Sequence, residues 1–416
     1  MRPAIQTKRI VVAAAIGNGL IVYDFTVYSF SAVIIGQLFF PSSSPLASLL
    51  MSLATFGAGF VMRPLGAMLI GNLADHKGRK AGLTLSIALM TLGTGIVAFT
   101  PTYASIGIAA PLLIVFARLM QGLAAGGEIG TASAALLELS SKGRRCYLVS
   151  WRAASQGAAA LTGALVGALL TAVLTPEALR DWGWRIPFML GLLIGPVGWY
   201  IRRHMAIASL PARPRPTLRR VFAQHPRTLW FGMLLMAAPS ASMYLMVFHM
   251  PTYLITALHL SPTLGLLTAC VAGTVIFLGN PLLARVADRQ RCRKPIQFVT
   301  LIASIVLVYP VFLALTHDVG ELASLLIIAG YAAVALSNGG ASSVMMLEAF
   351  PRHQRATGMS MIYSFGVALF GGFSPFIVTW LIGATGNPMV PAWYLLAALS
   401  ISLFALTRFP DTVEAR

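Results

Sequence analysis

Arg118, Gln121, Ala125 and Glu128 follow one another at intervals of three, four and three residues inside an apolar run. A helix lines them up on one stripe. That stripe sets a permanent cation and a titratable carboxylate on a wall of small residues, Gly122, Ala124, Gly126 and Gly127. Arg152 and Gln156 share a face at the same interval, as do Asp24 and Tyr28. Embedded arginines with nearby amides offer paired donors to a carboxylate. A carboxylate in an apolar helix needs a cation, a proton or water. The chemistry this suits is binding of an organic anion together with movement of a proton. The plainer alternative is that each arginine neutralises Glu128 or Asp24 and nothing more.

The second half of the chain carries fewer charges in its apolar runs, but its polar groups also fall in stripes. Met246, His249 and Tyr253 stand at i, i+3 and i+7; Asn338, Ser342 and Met345 form a second series, and Tyr363, Val367 and Phe370 a third. Methionine and aromatic residues at such spacing are ordinary packing. His249 stands out, because an imidazole titrates near neutral pH and could hold a carboxylate or carry a proton. No nucleophile–base pair or metal-ligand cluster is legible, which argues against an enzyme. Cys146, Cys270 and Cys292 suggest neither a disulfide nor a metal site. No cofactor is expected.

These residues must be positioned by membrane helices. The chain is 57% hydrophobic and 10% charged, with a mean hydropathy of +0.79, which does not describe a soluble protein. Its pattern predicts twelve spans, at about 11–38, 46–72, 82–101, 107–137, 146–174, 184–202, 229–257, 262–287, 295–316, 320–347, 356–384 and 391–408, each long enough for a hydrocarbon core of about 30 Å. Lys and Arg gather before span 1, in the connections 2–3, 4–5, 6–7, 8–9 and 10–11, and in the C-terminal tail. By the positive-inside rule both ends are cytoplasmic. The net charge of +18 is then a topology signal and an attraction to anionic lipid headgroups. Nucleic acid is not an expected partner, since no basic element with aromatic platforms appears. Span 1 is too long for the core of a signal peptide and contains Asn18 and Asp24.

Two unlike motifs recur in one order. Asp75-His76-Lys77-Gly78-Arg79-Lys80 has a weaker echo around Asp288, 213 residues later, and Glu138 with Arg145 is echoed by Glu348 with Arg355, 210 residues on. Matching offsets argue for a duplicated half. The first motif suits a clamp between neighbouring helices, with Gly71 for close helix approach and Gly78 for a tight turn. Asp75, Gly78, Arg79 and Asp288 are therefore assigned to gating. Arg63, two turns above, either snorkels or reaches a cavity. The run 211–217, Pro-Ala-Arg-Pro-Arg-Pro-Thr, cannot form a regular helix. It marks a linker, with a short surface helix around 217–224. Three segments follow: an N-terminal bundle at 1–202, a cytoplasmic linker at 203–226 and a C-terminal bundle at 227–416.

Asp75-x2-Gly78-Arg79-Lys80, Arg118-Leu119-x-Gln121-Gly122-x3-Gly126-Gly127-Glu128-x-Gly130 and Trp182-Gly183-Trp184-Arg185-Ile186-Pro187-Phe188 resemble the major facilitator superfamily, and within it the metabolite:proton symporter family. The likeness is greatest to citrate–proton symporters and their tricarballylate relatives, and includes Trp151, Gln156, Tyr244-Leu245, Pro251-Thr252 and 363–375. The resemblance implies an all-α polytopic membrane protein of two six-helix bundles working by alternating access. It also implies a monomeric inner-membrane importer of a small carboxylate with protons, citrate or a related tricarboxylate first; a dicarboxylate or branched C4–C5 acid, or an uncoupled facilitator or exchanger, is the alternative. In this reading Arg118 and Arg152 bind substrate, assisted by Asn18, Gln121, Gln156, His249 and Tyr363, and Asp24, Glu128 or His249 carries the proton. Three residues depart from the family pattern. Ile21 stands where relatives carry Glu, Arg152 where the citrate pattern has Gln, and His249 where relatives have an aromatic residue. The added cation at Arg152 points to a multiply charged or differently shaped acid.

Overall fold

A computed structural model describes residues 2–77, 79–126, 129–141, 143–193, 195–197, 218–290, 293–317 and 319–410, with the side chains of 2–10, 13, 72, 74–76, 79–80, 83, 129, 131–132 and 218–219 outside the description. The described elements are all helical: α1 Arg2–Phe30, α2 Ala32–Phe39, α3 Pro45–Lys77, α4 Arg79–Phe99, α5 Tyr103–Ile106, α6 Ala109–Gly126, α7 Ile129–Leu139, α8 Arg145–Val173, α9 Pro176–Asp181 and α10 Ile186–Gly191. There follow α11 Leu218–Gln224, α12 Pro226–Leu235, α13 Ala237–Met243, a π-helical turn Tyr244–His249, α14 Met250–Thr256, α15 Pro262–Asp288 and α16 Lys294–Thr316. The last are α17 Glu321–Leu336, α18 Gly339–Glu348, α19 Arg355–Val367, a second π-helical turn Ala368–Gly372, α20 Ser374–Thr385 and α21 Val390–Arg408.

Among the described residues, nine stretches are long and apolar enough to cross a bilayer, and ten if the bent pair Ala14–Phe30 and Ala32–Phe39 counts as one span. The predicted first span therefore breaks, with a bend of 64°. Two shorter apolar helices, Thr84–Phe99 and Gly183–Val197, occupy the predicted third and sixth spans. Helix is the expected answer here, because hydrocarbon leaves backbone polar groups no partner but one another. The short helix anticipated in the linker is present as α11; residues 203–217 lie outside the description.

Glycines set which helices touch. A Cβ added at Gly122 of α6 would stand 1.7 Å from the Gly59 carbonyl oxygen of α3, and one at Gly126 would stand 2.0 Å from that of Arg63. At Gly66 it would meet the Leu123 oxygen at 1.9 Å. The backbones of α3 and α6 thus lie against each other, as small residues in membrane helices allow. The expectation for Gly71 fails: a Cβ there meets nothing within 4 Å, and the close approach is made earlier, at Gly66. Across the two halves of the sequence, α8 and α15 make the most extensive contact, with Gly157 facing the Phe277 amide and Gly273 facing that of Leu161. Gly122→Ala is expected to force α3 and α6 apart and to lower the thermal unfolding midpoint in detergent sharply, whereas Gly71→Ala leaves it unchanged. Equal midpoints for the two variants would show that the contact is not tight.

Candidate functional site

The stripe on α6 meets α1 and α4. Arg118 Nη1 donates to Asp24 Oδ2 at 2.9 Å, and both side chains are wholly buried. Thr94 Oγ1 of α4 donates to Asp24 Oδ1 at 2.6 Å, and Gln121 Nε2 donates to Thr94 Oγ1 at 3.1 Å. Arg118 also donates to Gln121 Oε1, one turn along its own helix. The arginine Nε and Nη2 find no polar partner, but the guanidinium carbon lies 4.0 Å from the Tyr28 ring centroid and 4.8 Å from that of Phe25. Aromatic faces attract a desolvated cation. Arg118 is therefore committed on its polar and its flat sides. The Tyr28 hydroxyl donates to the Ser52 carbonyl at 3.2 Å rather than to Asp24.

Arg152 is placed differently. It is 4% exposed and lines a cavity of about 120 Å³ that opens mainly among helices of the second half, with Gln156, Tyr244, Asn338, Ser342 and Tyr363 on its wall. Arg152 Nη2 donates to Ser343 Oγ at 3.3 Å, and the guanidinium lies 5.2 Å from the Tyr363 ring centroid. Its Nε and Nη1 are buried without a partner. Gln156 Nε2 donates to the Tyr363 hydroxyl oxygen at 3.3 Å. Asn18 does not face the cavity wall. It donates to the Arg152 carbonyl at 3.0 Å and to Ser155 Oγ at 2.9 Å, so it fixes the helix that presents Arg152. The far wall is preorganised: Gln297 Nε2 donates to Asn338 Oδ1 at 3.0 Å, and Asn338 Nδ2 donates to Thr300 Oγ1 at 2.9 Å. Asn338 itself sits where α17 gives way to α18.

Between these two groups stands Arg63 of α3. It is buried, with its guanidinium 4.3 Å from the Phe60 centroid and 5.0 Å from that of Phe25. Its charge acts on the Tyr244 side chain. Sequence spacing left Arg63 either snorkelling or at a cavity, and the geometry places it behind the cavity wall. An aromatic layer of Phe25, Phe56, Phe60, Tyr244 and Phe248, with centroids 4.8–6.3 Å apart, separates the Arg118 group from the cavity. His249 is not on the cavity wall; its Nε2 lies 3.2 Å from Thr379 Oγ1 and its Nδ1 is buried without a partner. Glu128 and Gly78 lie outside the described residues, as do the side chains of Asp75 and Arg79.

At the end bearing the basic connections, the repeated motifs meet across the halves. Asp288, the last residue of α15, accepts from the Cys146 and Tyr147 amides at 2.8 and 2.9 Å, capping the N-terminus of α8. A carboxylate there satisfies orphan amides and the helix dipole together. Glu348 accepts from Arg145 at 2.9 Å and from Arg293 at 2.5 Å. Arg145 of the first motif is thus paired with Glu348 of its echo, which spacing alone did not reveal. At the opposite end Ser29 Oγ donates to the Phe248 carbonyl at 2.8 Å, so contacts join the halves at both ends.

A helical membrane protein with a polar cavity between sequence halves and ionic contacts at its basic end has the form of a transporter. The family model "Major Facilitator Superfamily" matches residues 14–375, and the chain belongs to that superfamily. It is 35% identical to a citrate-proton symporter of Salmonella typhi over 394 residues, covering 94% of this chain and 91% of the relative. It is 32% identical to an alpha-ketoglutarate permease of Escherichia coli (strain K12), over 92% of this chain and 89% of the relative. A crystal structure of a D-xylose-proton symporter superposes with a TM-score of 0.78 over 98% of this chain and 99% of that one, at 17% identity, which shows the fold. The chain is a polytopic transporter of this fold and not an enzyme.

Proposed function

We propose that this protein is a proton-coupled importer of a small organic acid in a bacterial inner membrane, with citrate or a related tricarboxylate as the first substrate to test. The observation that carries the reading is Arg152, a buried permanent cation with two unpartnered nitrogens on the wall of a polar cavity. A buried charge of this kind is costly until an anion meets it. The similar citrate-proton symporter supports the class of substrate. The similar alpha-ketoglutarate permease supports a dicarboxylate as the second reading.

In the proposed cycle Arg152, Gln156 and Tyr363 receive the acid, and Asn18 fixes the helix that presents Arg152. Asp24 carries the proton, with Glu128 and His249 as the other candidates. Protonation of Asp24 loosens its pair with Arg118, which couples the proton to the rocking of the halves. Asp288, and by repeat symmetry Asp75 with Gly78 and Arg79, holds the cytoplasmic side closed until the halves rock apart. The architecture taken is twelve spans in two six-helix bundles, 1–202 and 227–416, joined by 203–226, with both ends cytoplasmic and a monomer as the working unit. Proton entry offsets the inward movement of negative charge, which costs about 2.3 kcal/mol per charge per 100 mV against an inside-negative potential.

In proteoliposomes with the membrane potential clamped at zero, an inward pH gradient is expected to concentrate labelled citrate above equilibrium. A panel of tri-, di- and monocarboxylates ranks the substrates. Equilibration without accumulation would leave a facilitator or exchanger, and accumulation driven by sodium would change the coupling ion.

A further inference from the structure

Arg152 is the one charged side chain among the described residues that line the cavity. Arg118 does not join it, because Asp24 balances its charge and the aromatic layer lies between them. The rest of the polar wall is neutral: the amides of Gln156, Gln297 and Asn338 with the hydroxyls of Thr300, Ser304 and Ser342. Two phenols complete it. Tyr363 accepts from Gln156, and Tyr244 lies within reach of the Arg63 charge. A phenol oxygen that accepts from nitrogen keeps its own hydrogen to donate.

We propose, on the reading that this cavity receives an organic acid, that it takes an anion presenting one ionised carboxylate to Arg152 and a neutral, hydroxyl- or carbonyl-bearing remainder to the amide and hydroxyl wall. Each further ionised carboxylate would be buried without a counter-charge, a cost that neutral donors do not offset. The multiply charged acid expected from sequence required Arg118 and Arg152 to act on one substrate. Arg63 adds positive potential from behind Tyr244 but has no place on the wall. Two sources supply this chemistry: a hydroxylated monocarboxylate, singly charged at neutral pH, or a polycarboxylic acid whose other carboxyls are protonated. In the second case protons enter on the substrate itself as well as on the protein.

The other groups that bear on a pH profile here are Tyr363 from α19, Tyr244 from the π turn, Arg63 from α3, and the more distant Asp24–Arg118 pair and His249. A ligand of fixed charge reports on all of them together. Binding to the purified full chain in detergent is therefore measured for gluconate and citrate between pH 5.5 and 7.5. Gluconate is expected to bind with nearly constant affinity. The apparent affinity for total citrate is expected to fall by about a thousandfold over the range, as its singly charged form is depleted, whereas a site for the doubly charged form would lose only about tenfold. Arg152→Gln should remove both, while Arg152→Lys, checked by its unfolding midpoint, should retain measurable binding. Asn338→Ala should weaken gluconate more than its unhydroxylated analogue hexanoate. Gluconate binding alone identifies the monocarboxylate source, and citrate binding only at low pH identifies the protonated polyacid. Citrate that binds equally or better at pH 7.5 overturns the single-carboxylate site. That result would leave the importer reading standing, since uptake under a pH gradient tests it separately; loss of all gradient-driven uptake with binding intact would sink the importer reading instead.

Discussion

Asp24→Asn is expected to abolish accumulation of substrate under a pH gradient while sparing downhill counterflow. The substitution keeps the shape of the side chain, and the amide oxygen can still accept from Thr94. It removes the one carboxylate among the described residues that pairs with Arg118, whose Nη1 lies 2.9 Å from it in a wholly buried contact. Two effects follow. In the proposed cycle transport uncouples from the proton, because the group that carries it there is gone. The fold also loses stability, by about 3–5 kcal/mol, since an uncompensated buried charge is left behind. A lower unfolding midpoint for Asp24→Asn, recovered when Arg118→Gln is added, would show that the loss is the orphaned charge and not a local misfit. The cation–π contacts with Tyr28 and Phe25 reduce that loss without removing it, as they supply no counter-charge. Normal accumulation by Asp24→Asn would move the proton to Glu128 or His249. Accumulation lost together with counterflow would mean that the residue holds the structure and carries no proton.

Much of this geometry can be read from spacing, and the limits of that reading are physical. The intervals from Arg118 to Gln121 place both on one stripe, and the structure bonds them within it. Asp24 in an apolar helix needed a cation, a proton or water, and of the three it has the cation. Spacing within a helix does not say which faces of different helices meet. For that reason Thr94, an ordinary hydroxyl residue in its own run, gave no signal though it bonds to Asp24, and neither did the Ser52 backbone carbonyl that accepts from Tyr28. The same limit separates Arg118 from Arg152: both read as donors to an anion, but only Arg152 borders the cavity. Arg63 had two readings because its run places it two turns from a loop, and only Tyr244 from the second half chooses between them. Gly371 and Gly372 with Pro375 break helical regularity, and a π turn forms there, at Ala368–Gly372. That at Tyr244–His249 has no comparable glycine pair to announce it, and the 64° bend at the end of α1 was hidden inside one continuous apolar run.

The second large effect is expected at the basic end, where Asp288→Asn should open the contact between the halves without touching the cavity. The Asp288 carboxylate accepts from two consecutive amides in the first turn of α8, at 2.8 and 2.9 Å. Those amides have no partner inside their own helix, and the helix dipole adds to their attraction for a negative charge. Asparagine keeps one acceptor oxygen and loses the charge, a change worth about 1–2 kcal/mol. In the proposed cycle that contact exists only while the basic end is closed. Its loss therefore shifts the balance toward the open form by roughly 5–30-fold and slows a cycle that needs both forms. Cys146 reports the shift directly. Its side chain is fully buried and its Sγ accepts from Arg293 Nε at 3.2 Å, so the thiol reacts with maleimide only when this end opens. The alkylation rate at Cys146, read by peptide mass, should rise in Asp288→Asn and again in Glu348→Gln, which breaks the pairs with Arg145 and Arg293. Uptake should fall in both, while binding in detergent changes much less, because no residue of the cavity wall has been altered. If binding falls as far as uptake, Asp288 acts on the substrate site and not on the gate. If Cys146 reacts no faster, the cap does not hold the closed form, and the two halves are kept together by their other contacts, the packing of α8 on α15 among them.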